Sequence, residues 1–228
     1  MGQRNDNTTP HAAEEYDAKV RQTIPEYEGI HRDAIDLVRT VRPDASLWLD
    51  TGCGTGRLAE LAVSAFPRCS FLLADPSGAM LAVARKKLAG HRDRVHILDP
   101  ADTASVRTDR APDVITAIQA HHYMDGQGRA RATARCHDLL GPGGLYVTFE
   151  NTRPATDEGV RFGLERWKRF MVENGRSAEL AEEHAKRLGT EYFPITVDEH
   201  LALLRSAGFR TVELFRFSYM QAGFYAIK

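Results

Sequence analysis

The segment LDTGCGTG, residues 49–56, decides the fold, and it lies between the apolar run SLW at 46–48 and the helix-like run RLAELAVSAF at 57–66. Gly52, Gly54 and Gly56 allow the chain to turn tightly from a strand into a helix and let a ligand approach the backbone. The helix that follows presents unpaired N–H groups and the positive end of its dipole to a carboxylate. We therefore predict a strand–turn–helix unit with a ligand site at the turn.

Two acidic residues flank this turn. Asp50 directly precedes the glycines, and Asp75 ends the next apolar segment, SFLLAD at 70–75. A carboxylate in the position of Asp75 can accept hydrogen bonds from both ribose hydroxyls of a nucleoside. A carboxylate in the position of Asp50 attracts an ammonium group and repels a pyrophosphate. The pattern favours S-adenosylmethionine (SAM), which carries an ammonium, a carboxylate and a ribose.

A nicotinamide dinucleotide is the competing ligand. Its fingerprint is GxGxxG, but here the third glycine, Gly56, comes one position early and Arg57 stands where the fingerprint needs it. The remaining interpretation is a tight turn that serves only helix packing. SAM fits the two acids better than either alternative.

The alternation of strand-like and helix-like segments continues beyond the turn. RVHIL at 94–98, DVITAI at 113–118 and LYVTFE at 145–150 are predicted strands, and the helix-like run GRARATARCHDLL at 128–140 separates the last two. This pattern is typical of a doubly wound α/β sheet that is mostly parallel and covered on both faces. RTVELFRFSYM at 210–220 and AGFYAIK at 222–228 are joined by a short turn, so we expect an antiparallel hairpin at the end of the chain.

The sequence predicts one domain after a short tail. The tail covers residues 1–12, and the domain covers residues 13–228. Its expected parts are an N-terminal helical cover at 13–42, a ligand-binding core at 45–150, a helical lid insertion at 152–192, and a final helix and hairpin at 195–228. The cover begins with one short helix in AAEEYDAKVRQTI that Pro25 interrupts, and Thr196 with Glu199 forms a capping box for the final helix.

Composition limits the partners. The 228 residues have a net charge of −1, with 43% hydrophobic and 27% charged residues, so no global basic field attracts nucleic acid. No apolar run reaches the ~20 residues of a membrane helix. Three cysteines without CxxC spacing indicate free thiols in a reducing compartment. We expect a cytoplasmic monomer or homodimer that binds neither nucleic acid nor membranes.

The motifs resemble those of the class I SAM-dependent methyltransferases. LDTGCGTG is similar to their motif I and FLLADPSGAML, at 71–81, to their motif II. The resemblance implies a Rossmann-like seven-stranded sheet with an antiparallel C-terminal hairpin and helical lid elements. It also implies that Asp75 holds the ribose, that Met80 covers one adenine face, and that Asp99, or Asp102 as the alternative, binds near the adenine amino group. The cofactor-binding residues predicted from the motifs and their flanks are Asp50, Gly52, Cys53, Gly54, Gly56, Asp75, Pro76, Met80, Asp99 and Pro100.

Both ends of the chain are similar to one group in this superfamily, the carboxy-SAM synthases. The similar segments are YDAKVRQTIPEY at 16–27, ENGRSAELAEEHAKR at 173–187, ITVDEHLALLRSAGF at 195–209 and FYAIK at 224–228. The resemblance implies a cofactor contact for Tyr27. Ala117 takes the place of that group's asparagine on the fourth strand and is expected beside the cofactor. Ala185 replaces the arginine that holds an additional carboxylate there, while Lys186 and Arg187 are adjacent.

The end of the fourth predicted strand carries the candidate catalytic residues Gln119, His121 and His122. A histidine there can take a proton from a hydroxyl or an amine near neutral pH, and a glutamine can orient an acceptor. Methyl transfer otherwise needs mainly orientation and the removal of water. His121, His122, Cys136 and His137 have no zinc-ligand spacing, so no metal site is predicted.

Four functions follow as hypotheses. The first is methyl transfer from SAM to a small-molecule acceptor. The second is a SAM-using enzyme with another outcome, either carboxy-SAM-type transfer or an intramolecular cyclisation of SAM that releases methylthioadenosine. The third is a nicotinamide dehydrogenase, and the fourth is a SAM-binding subunit without catalytic activity.

Overall fold

The structure, a computed structural model, describes residues 11–228 and contains one seven-stranded sheet. The strands are β1 (Leu47–Thr51), β2 (Ser70–Ala74), β3 (Val95–Ile97), β4 (Val114–Ile118), β5 (Leu145–Asn151), β6 (Thr211–Ser218) and β7 (Gln221–Ile227). Their spatial order is β3-β2-β1-β4-β5-β7-β6, and β7 runs antiparallel to the other six strands. The predicted fold class is confirmed.

α-Helices separate most consecutive strands; between β3 and β4 the described chain forms only a 3-10 helix at Thr103–Ser105, and β6 and β7 form the predicted hairpin. The α-helices are α1 (Tyr16–Lys19), α2 (Tyr27–Val41), α3 (Arg57–Ala65), α4 (Gly78–Lys87), α5 (Gly126–Leu139), α6 (Asp157–Glu173), α7 (Ala178–Lys186) and α8 (Val197–Ser206). Thr196 and Glu199 form the predicted capping box at the start of α8. In place of the single helix predicted near the start of the cover, the chain forms α1 flanked by one-turn 3-10 helices at Ala13–Glu15 and Val20–Gln22.

The central strands are apolar because both faces of the sheet are covered. Every residue of β1 and of β5 is buried. Trp48 and Val147 belong to the core on one face, and Leu49 and Tyr146 belong to the core on the other. This follows the period of two along a strand, which directs neighbouring side chains to opposite faces. Burial therefore fixes the register of the strands from which the site residues extend.

A third apolar cluster joins the beginning of the chain to the segment between β5 and α8. Ile24 and Tyr27 pack in the same cluster as Trp167 and Met171 of α6. The Trp167 indole N–H donates a hydrogen bond to the Thr23 carbonyl oxygen at 2.7 Å. Residues far apart in sequence thus cover the same end of the sheet, where the parallel strands end.

Most of the predicted tail, residues 1–12, lies outside the described residues, which begin at His11. His11 itself is buried, and its Nε2 lies 3.2 Å from Oγ1 of Thr23. This residue therefore belongs to the folded cover and not to a free tail. Between residues 11 and 228, no helix combines the length and the apolar character required to cross a bilayer.

Candidate active site

The candidate ligand site is a cavity at the carboxyl ends of β1, β2 and β4, which we call the main cavity. Open α/β sheets bind ligands at this edge, where neighbouring connections leave the sheet in opposite directions. The main cavity has a volume of about 190 Å³. The predicted residues that line it are Tyr27, Asp50, Gly52, Cys53, Gly54, Asp75, Pro76, Met80 and Gln119.

The glycine loop forms one wall of the main cavity with its backbone. Gly54 has a φ of +53°, and a Cβ atom built there would meet no atom within 4 Å, so it would project into open space. A Cβ on Gly52, at φ +65°, would lie 2.4 Å from Cβ of Ala120. Gly54 therefore leaves room for a ligand, and Gly52 leaves room for the loop after β4. Gly56 is outside the cavity lining and packs near Leu88.

Asp75 connects the second strand to the glycine loop. Its Oδ2 accepts a hydrogen bond from the Gly54 N–H at 2.9 Å, and its Oδ1 accepts one from the Ser77 N–H at 2.8 Å. The carboxylate is 7% exposed and lines the main cavity. A carboxylate offers about four lone-pair sites, so Asp75 can both hold the loop and accept a hydrogen bond from a ligand.

Asp50 is a buried acid at the end of β1. Its Oδ1 accepts a hydrogen bond from the Thr116 hydroxyl at 2.7 Å. Burial raises the pKa of Asp50 to about 7, although the Thr116 hydrogen bond opposes that shift. Removal from water disfavours the charged carboxylate, so a cation placed in the main cavity would restore its charge. Asp50 is therefore suited to an ammonium group.

The N-terminal cover is held over the main cavity by polar contacts. Asp17 accepts a hydrogen bond from the Thr55 hydroxyl at 2.6 Å and pairs with Lys87 Nζ at 2.5 Å. Glu28 pairs with Arg57 at 2.8 Å. Because Thr55 and Arg57 belong to the glycine loop and α3, these contacts attach the cover directly to the ligand-binding turn.

Gln119 lies where the main cavity meets a second, smaller cavity. Its φ is +56°, a left-handed conformation that costs of order 1–3 kcal/mol for a residue with a Cβ. Its N–H donates to the Phe149 carbonyl oxygen at 2.6 Å, while its buried side-chain Nε2 has no hydrogen-bond partner. The fold therefore holds an unsatisfied donor at the junction of the two cavities.

The second cavity, here named the inner chamber, has a volume of about 20 Å³. A cavity of about 10–15 Å³ admits one water molecule, so in this conformation the inner chamber admits only a small chemical group. Gln119, Tyr16 and Tyr123 line both cavities. The remaining residues of the inner chamber are His11, Val20, Thr23, Ile24, Asn151, His184 and Tyr192.

The predicted histidines lie behind the cavity wall, which corrects the expectation that either one faces the acceptor. His121 is within hydrogen-bond distance of Thr103 Oγ1 (3.0 Å from Nε2) and of the Tyr146 hydroxyl (3.2 Å from Nδ1). The His122 Nδ1 atom donates to Glu150 Oε2 at 2.7 Å. Neither ring lines the main cavity or the inner chamber. Their side chains instead hold the end of β4.

Three other predicted residues are also outside the cavities. Ala117 is fully buried in the core because its side chain points to the sheet face opposite the site. Asp99 and Pro100 are exposed and lie outside the lining. Asp102, the alternative to Asp99, does line the main cavity and caps a helical turn by accepting from Ser105 N–H at 3.0 Å.

Sequence reasoning missed several lining residues. The main cavity also includes Tyr16, His31, Thr55, Arg57, Leu58, Ser77, Thr103, Ile118, Ala120, Tyr123 and Met124. Thr55 and Ser77 lie inside the quoted motifs, so their position was accessible from the sequence. Tyr16 and Tyr123 were not, because their place depends on how the cover and the turn after β4 fold over the sheet. Among residues 11–228, no group of three or more His, Cys, Asp or Glu side chains is arranged to hold a metal ion.

Comparisons with known proteins agree with this geometry. Residues 49–146 match the family described as "Methyltransferase domain". The chain is 31% identical over 192 residues to a trans-aconitate 2-methyltransferase of Methylobacterium nodulans, covering 84% of this chain and 68% of that protein. It is 23% identical over 204 residues to carboxy-S-adenosyl-L-methionine synthase 1 of Yersinia pseudotuberculosis, covering 87% of this chain and 84% of that protein.

Solved structures share the fold. An O-methyltransferase-like protein from Nostoc punctiforme matches with a TM-score of 0.69 at 15% identity, over 95% of this chain and 59% of that chain. A SAM-bound amino pentose methyltransferase from Micromonospora echinaspora matches with a TM-score of 0.62 at 18% identity, over 93% of this chain and 95% of that chain. The chain thus spans about three fifths of the first neighbour and nearly all of the second.

Proposed function

Because the chain belongs to the class I SAM-dependent methyltransferases, with SAM as its cofactor, we propose that it transfers a methyl group to a small-molecule acceptor that enters the inner chamber. One observation carries this proposal. The inner chamber and the main cavity share Gln119, Tyr16 and Tyr123. A cofactor site and a group-sized second site therefore adjoin, as transfer between two bound molecules requires.

The residues of the main cavity fit SAM chemically. The space beside Gly54, which a Cβ would fill, accommodates a ligand close to the backbone. Asp50 supplies a negative partner for the ammonium group, and Asp75 supplies acceptors for the ribose hydroxyls. Met80 supplies an apolar surface and Asp102 a polar rim for the adenine. When bound, SAM provides an electrophilic methyl group on its sulfonium.

The chain's own contribution is orientation and the exclusion of water. Gln119 presents a donor at the junction of the two cavities. The cover residues Tyr16 and Tyr27 line the main cavity, and water that the cover displaces there cannot compete for the cofactor. Holding the reacting atoms in line can supply roughly 7–11 kcal/mol of the barrier reduction. Since no histidine predicted as a base faces either cavity, the proposed mechanism assigns no proton transfer to His121 or His122.

The test uses SAM labelled in its methyl carbon. The full chain is incubated with labelled SAM and a panel of small carboxylates, phenols and amines, and products are identified by mass spectrometry. We expect a labelled acceptor and one equivalent of S-adenosylhomocysteine. Asp75→Ala should abolish both at low SAM concentration, whereas Asp99→Ala should leave them unchanged. The appearance of S-adenosylhomocysteine with no methylated acceptor from any class would contradict the proposal.

Carboxy-SAM formation is the second candidate, because proteins of that name match 87% of this chain. The same experiment separates the two outcomes. A SAM-derived product that gains a carboxyl group would favour the second candidate. Methylthioadenosine formed from SAM alone would instead indicate intramolecular cyclisation. Either product without a methylated acceptor would replace methyl transfer as the function.

A further inference from the structure

The inner chamber contains buried polar atoms that nothing in the fold satisfies. Both ring nitrogens of His184, a residue that is 6% exposed, lack a hydrogen-bond partner, as does Nε2 of Gln119. The His184 ring packs edge-on against Trp167, with ring centroids 5.0 Å apart, and lies tilted by 31° against Tyr192, with centroids 5.8 Å apart. A buried polar group without a partner destabilises the fold. Such groups at a cavity wall indicate a polar ligand.

Arg176 and Arg187 bring positive charge close to this chamber, and Arg187 also pairs with Glu191 at 2.7 Å. Arg176 lies directly behind the chamber wall, with Nη1 donating to Thr23 Oγ1 at 2.8 Å, and its buried Nε has no hydrogen-bond partner. Burial, and then the charges of Arg187 and Arg176, lower the pKa of His184 to about 3. Burial and then Arg176 likewise lower the pKa of His11 to about 4. In the part of the chain from residue 11 onward, no acidic side chain lines the chamber.

These surroundings discriminate among acceptor classes. An ammonium group would be repelled by Arg176 and would find no acid among the described residues that line the chamber. A neutral hydroxyl would need a base, but an imidazolium at His184 would form beside two guanidinium groups and at low solvation, which opposes proton transfer to it. An anion meets donors from Gln119 and neutral His184 in a positive field, an arrangement that strengthens charge-assisted hydrogen bonds.

We infer that the methyl acceptor is a carboxylate, and that His184 and Gln119 bind its oxygens in the inner chamber within the field of Arg176. The inference deepens the proposed function and rests on it. A carboxylate already carries the attacking lone pair, so no base is needed. The new bond joins its oxygen to the methyl carbon, the carbon–sulfur bond breaks, its electron pair stays on sulfur, and no proton is released. His184 is a binding residue in this scheme and not a general base.

The chamber size adds a constraint on how the acceptor enters. A space of about 20 Å³ admits the carboxylate group but not a larger molecule, so the remainder of the acceptor lies outside the inner chamber. Small carboxylates are therefore suitable probes of the chamber itself, and their uncharged amides are matched in shape.

The experiment measures binding of acetate, benzoate, acetamide and benzamide to the complex of the full chain with S-adenosylhomocysteine, by saturation-transfer NMR. We expect both carboxylates to bind at least about tenfold more tightly than their amides, the difference of one charge-assisted contact. Arg176→Gln should weaken carboxylate binding about tenfold, and Arg176→Lys should restore part of it. His184→Phe, which keeps the ring packing, should weaken it several-fold. Arg161→Gln, at an exposed site, is the matched control.

Equal binding of amides and carboxylates would overturn the inference, and so would unchanged carboxylate binding in both Arg176→Gln and His184→Phe. His184→Phe decides the question if Arg176→Gln does not fold. The proposed function fails separately. Carboxylate binding without transfer of the labelled methyl group would leave the anion site in place and remove the methyltransferase activity. Methylation of a neutral acceptor with a KM unaffected by Arg176→Gln would leave the methyltransferase activity in place and remove the anion site.

Discussion

The Nδ1 atom of His122 donates a hydrogen bond to Oε2 of Glu150 at 2.7 Å, and both side chains are 1% exposed. Glu150 also accepts from the N–H groups of His121 and His122 and from the Thr148 hydroxyl. The carboxylate thus ties β5 to the turn after β4, directly beside the left-handed Gln119. Glu150, which lines neither cavity, therefore positions Gln119, which lines both.

Glu150→Gln should destabilise the protein by about 1–3 kcal/mol, because it weakens hydrogen bonds to a buried charged acceptor. It should also lower kcat more than it raises the Kd for SAM, because it releases the turn that carries Gln119 and Tyr123. Chemical denaturation and initial rates measure the two effects. Glu158→Gln, in an exposed pair with Arg161, should change stability by less than ~1 kcal/mol. Equal effects of the two variants would contradict the positioning role.

The Glu150 carboxylate should also make the stability of the fold depend on pH in the acid range. Burial alone would raise the pKa of Glu150, but the hydrogen bond from His122 and the nearby His121 and His200 rings lower it to about 2, below its ordinary 4.5. Its contribution to stability is therefore complete above pH 4.5 and lost as the pH falls toward 2. The wild-type protein should lose stability more steeply than Glu150→Gln across that interval, as followed by denaturation midpoints. Parallel curves would contradict this assignment.

Asp50 should make SAM binding depend on pH near neutrality. Its raised pKa, about 7, means that the protein without cofactor carries the neutral acid below that pH. An ammonium ligand favours the charged form, so the affinity for SAM should rise between about pH 6 and pH 7.5, with proton release on binding. Calorimetry in two buffers of different ionisation enthalpy measures the release. Asp50→Asn should bind more weakly and lose this pH dependence; a retained dependence would place the titrating group elsewhere.

Asp50→Asn should also stabilise the protein without cofactor at about pH 8. The folded-state pKa lies above the ordinary value of 3.8, so the stability linked to this group is present at low pH and is lost as the pH rises through about 7. Above that pH the wild type must bury a charge, whereas the amide carries none. Thermal denaturation at this alkaline pH measures the difference, and a lower melting temperature for Asp50→Asn would refute it.

Asp102 and Asp99 offer a matched pair for the adenine end of the cavity. Asp102→Asn keeps a side-chain oxygen for the Ser105 N–H but removes the charge at the main cavity. We expect its Kd for SAM to rise about 2–10-fold, the effect of one hydrogen bond. Asp99→Asn, at a position outside the lining, should leave the Kd unchanged. The Kd is measured by calorimetry. A larger rise in Kd for Asp99→Asn than for Asp102→Asn would assign the adenine contact to Asp99.

The contact between Asp17 and Lys87 should slow the release of SAM. Asp17→Asn removes the ion pair that joins the cover to α4, and we expect the Kd to rise by roughly fivefold, about 1 kcal/mol. The change should appear mainly in the dissociation rate, measured by stopped-flow fluorescence. Added salt should weaken the wild type more than the variant. Glu15→Gln, in an exposed pair with Lys19, is the control and should bind SAM normally.

The sequence by itself determined the α/β alternation, the antiparallel hairpin and the glycine turn between β1 and α3. These features depend on local patterns: apolar runs with a period of two, glycines between strand and helix, and an acid at the end of each of two strands. Because parallel strands end at one edge, Asp50, Gly54, Asp75 and Gln119 had to meet there. All four of these residues line the main cavity.

Only the tertiary structure decided which neighbouring residue faces the site. Ala117 points into the core, and strand alternation alone would send Gln119, two residues later, to the same face. The left-handed backbone at Gln119 turns this residue into the cavities instead, and no local sequence pattern predicts that conformation. Glu150, which lies 28 residues after His122 in the chain, holds the turn with His121 and His122 behind the cavity wall. It accepts hydrogen bonds from the N–H and from Nδ1 of His122. The inner chamber combines residues near 11–24, 119–123, 151 and 184–192. Its positive field arises from packing between segments far apart in sequence, and no periodicity within one segment encodes it.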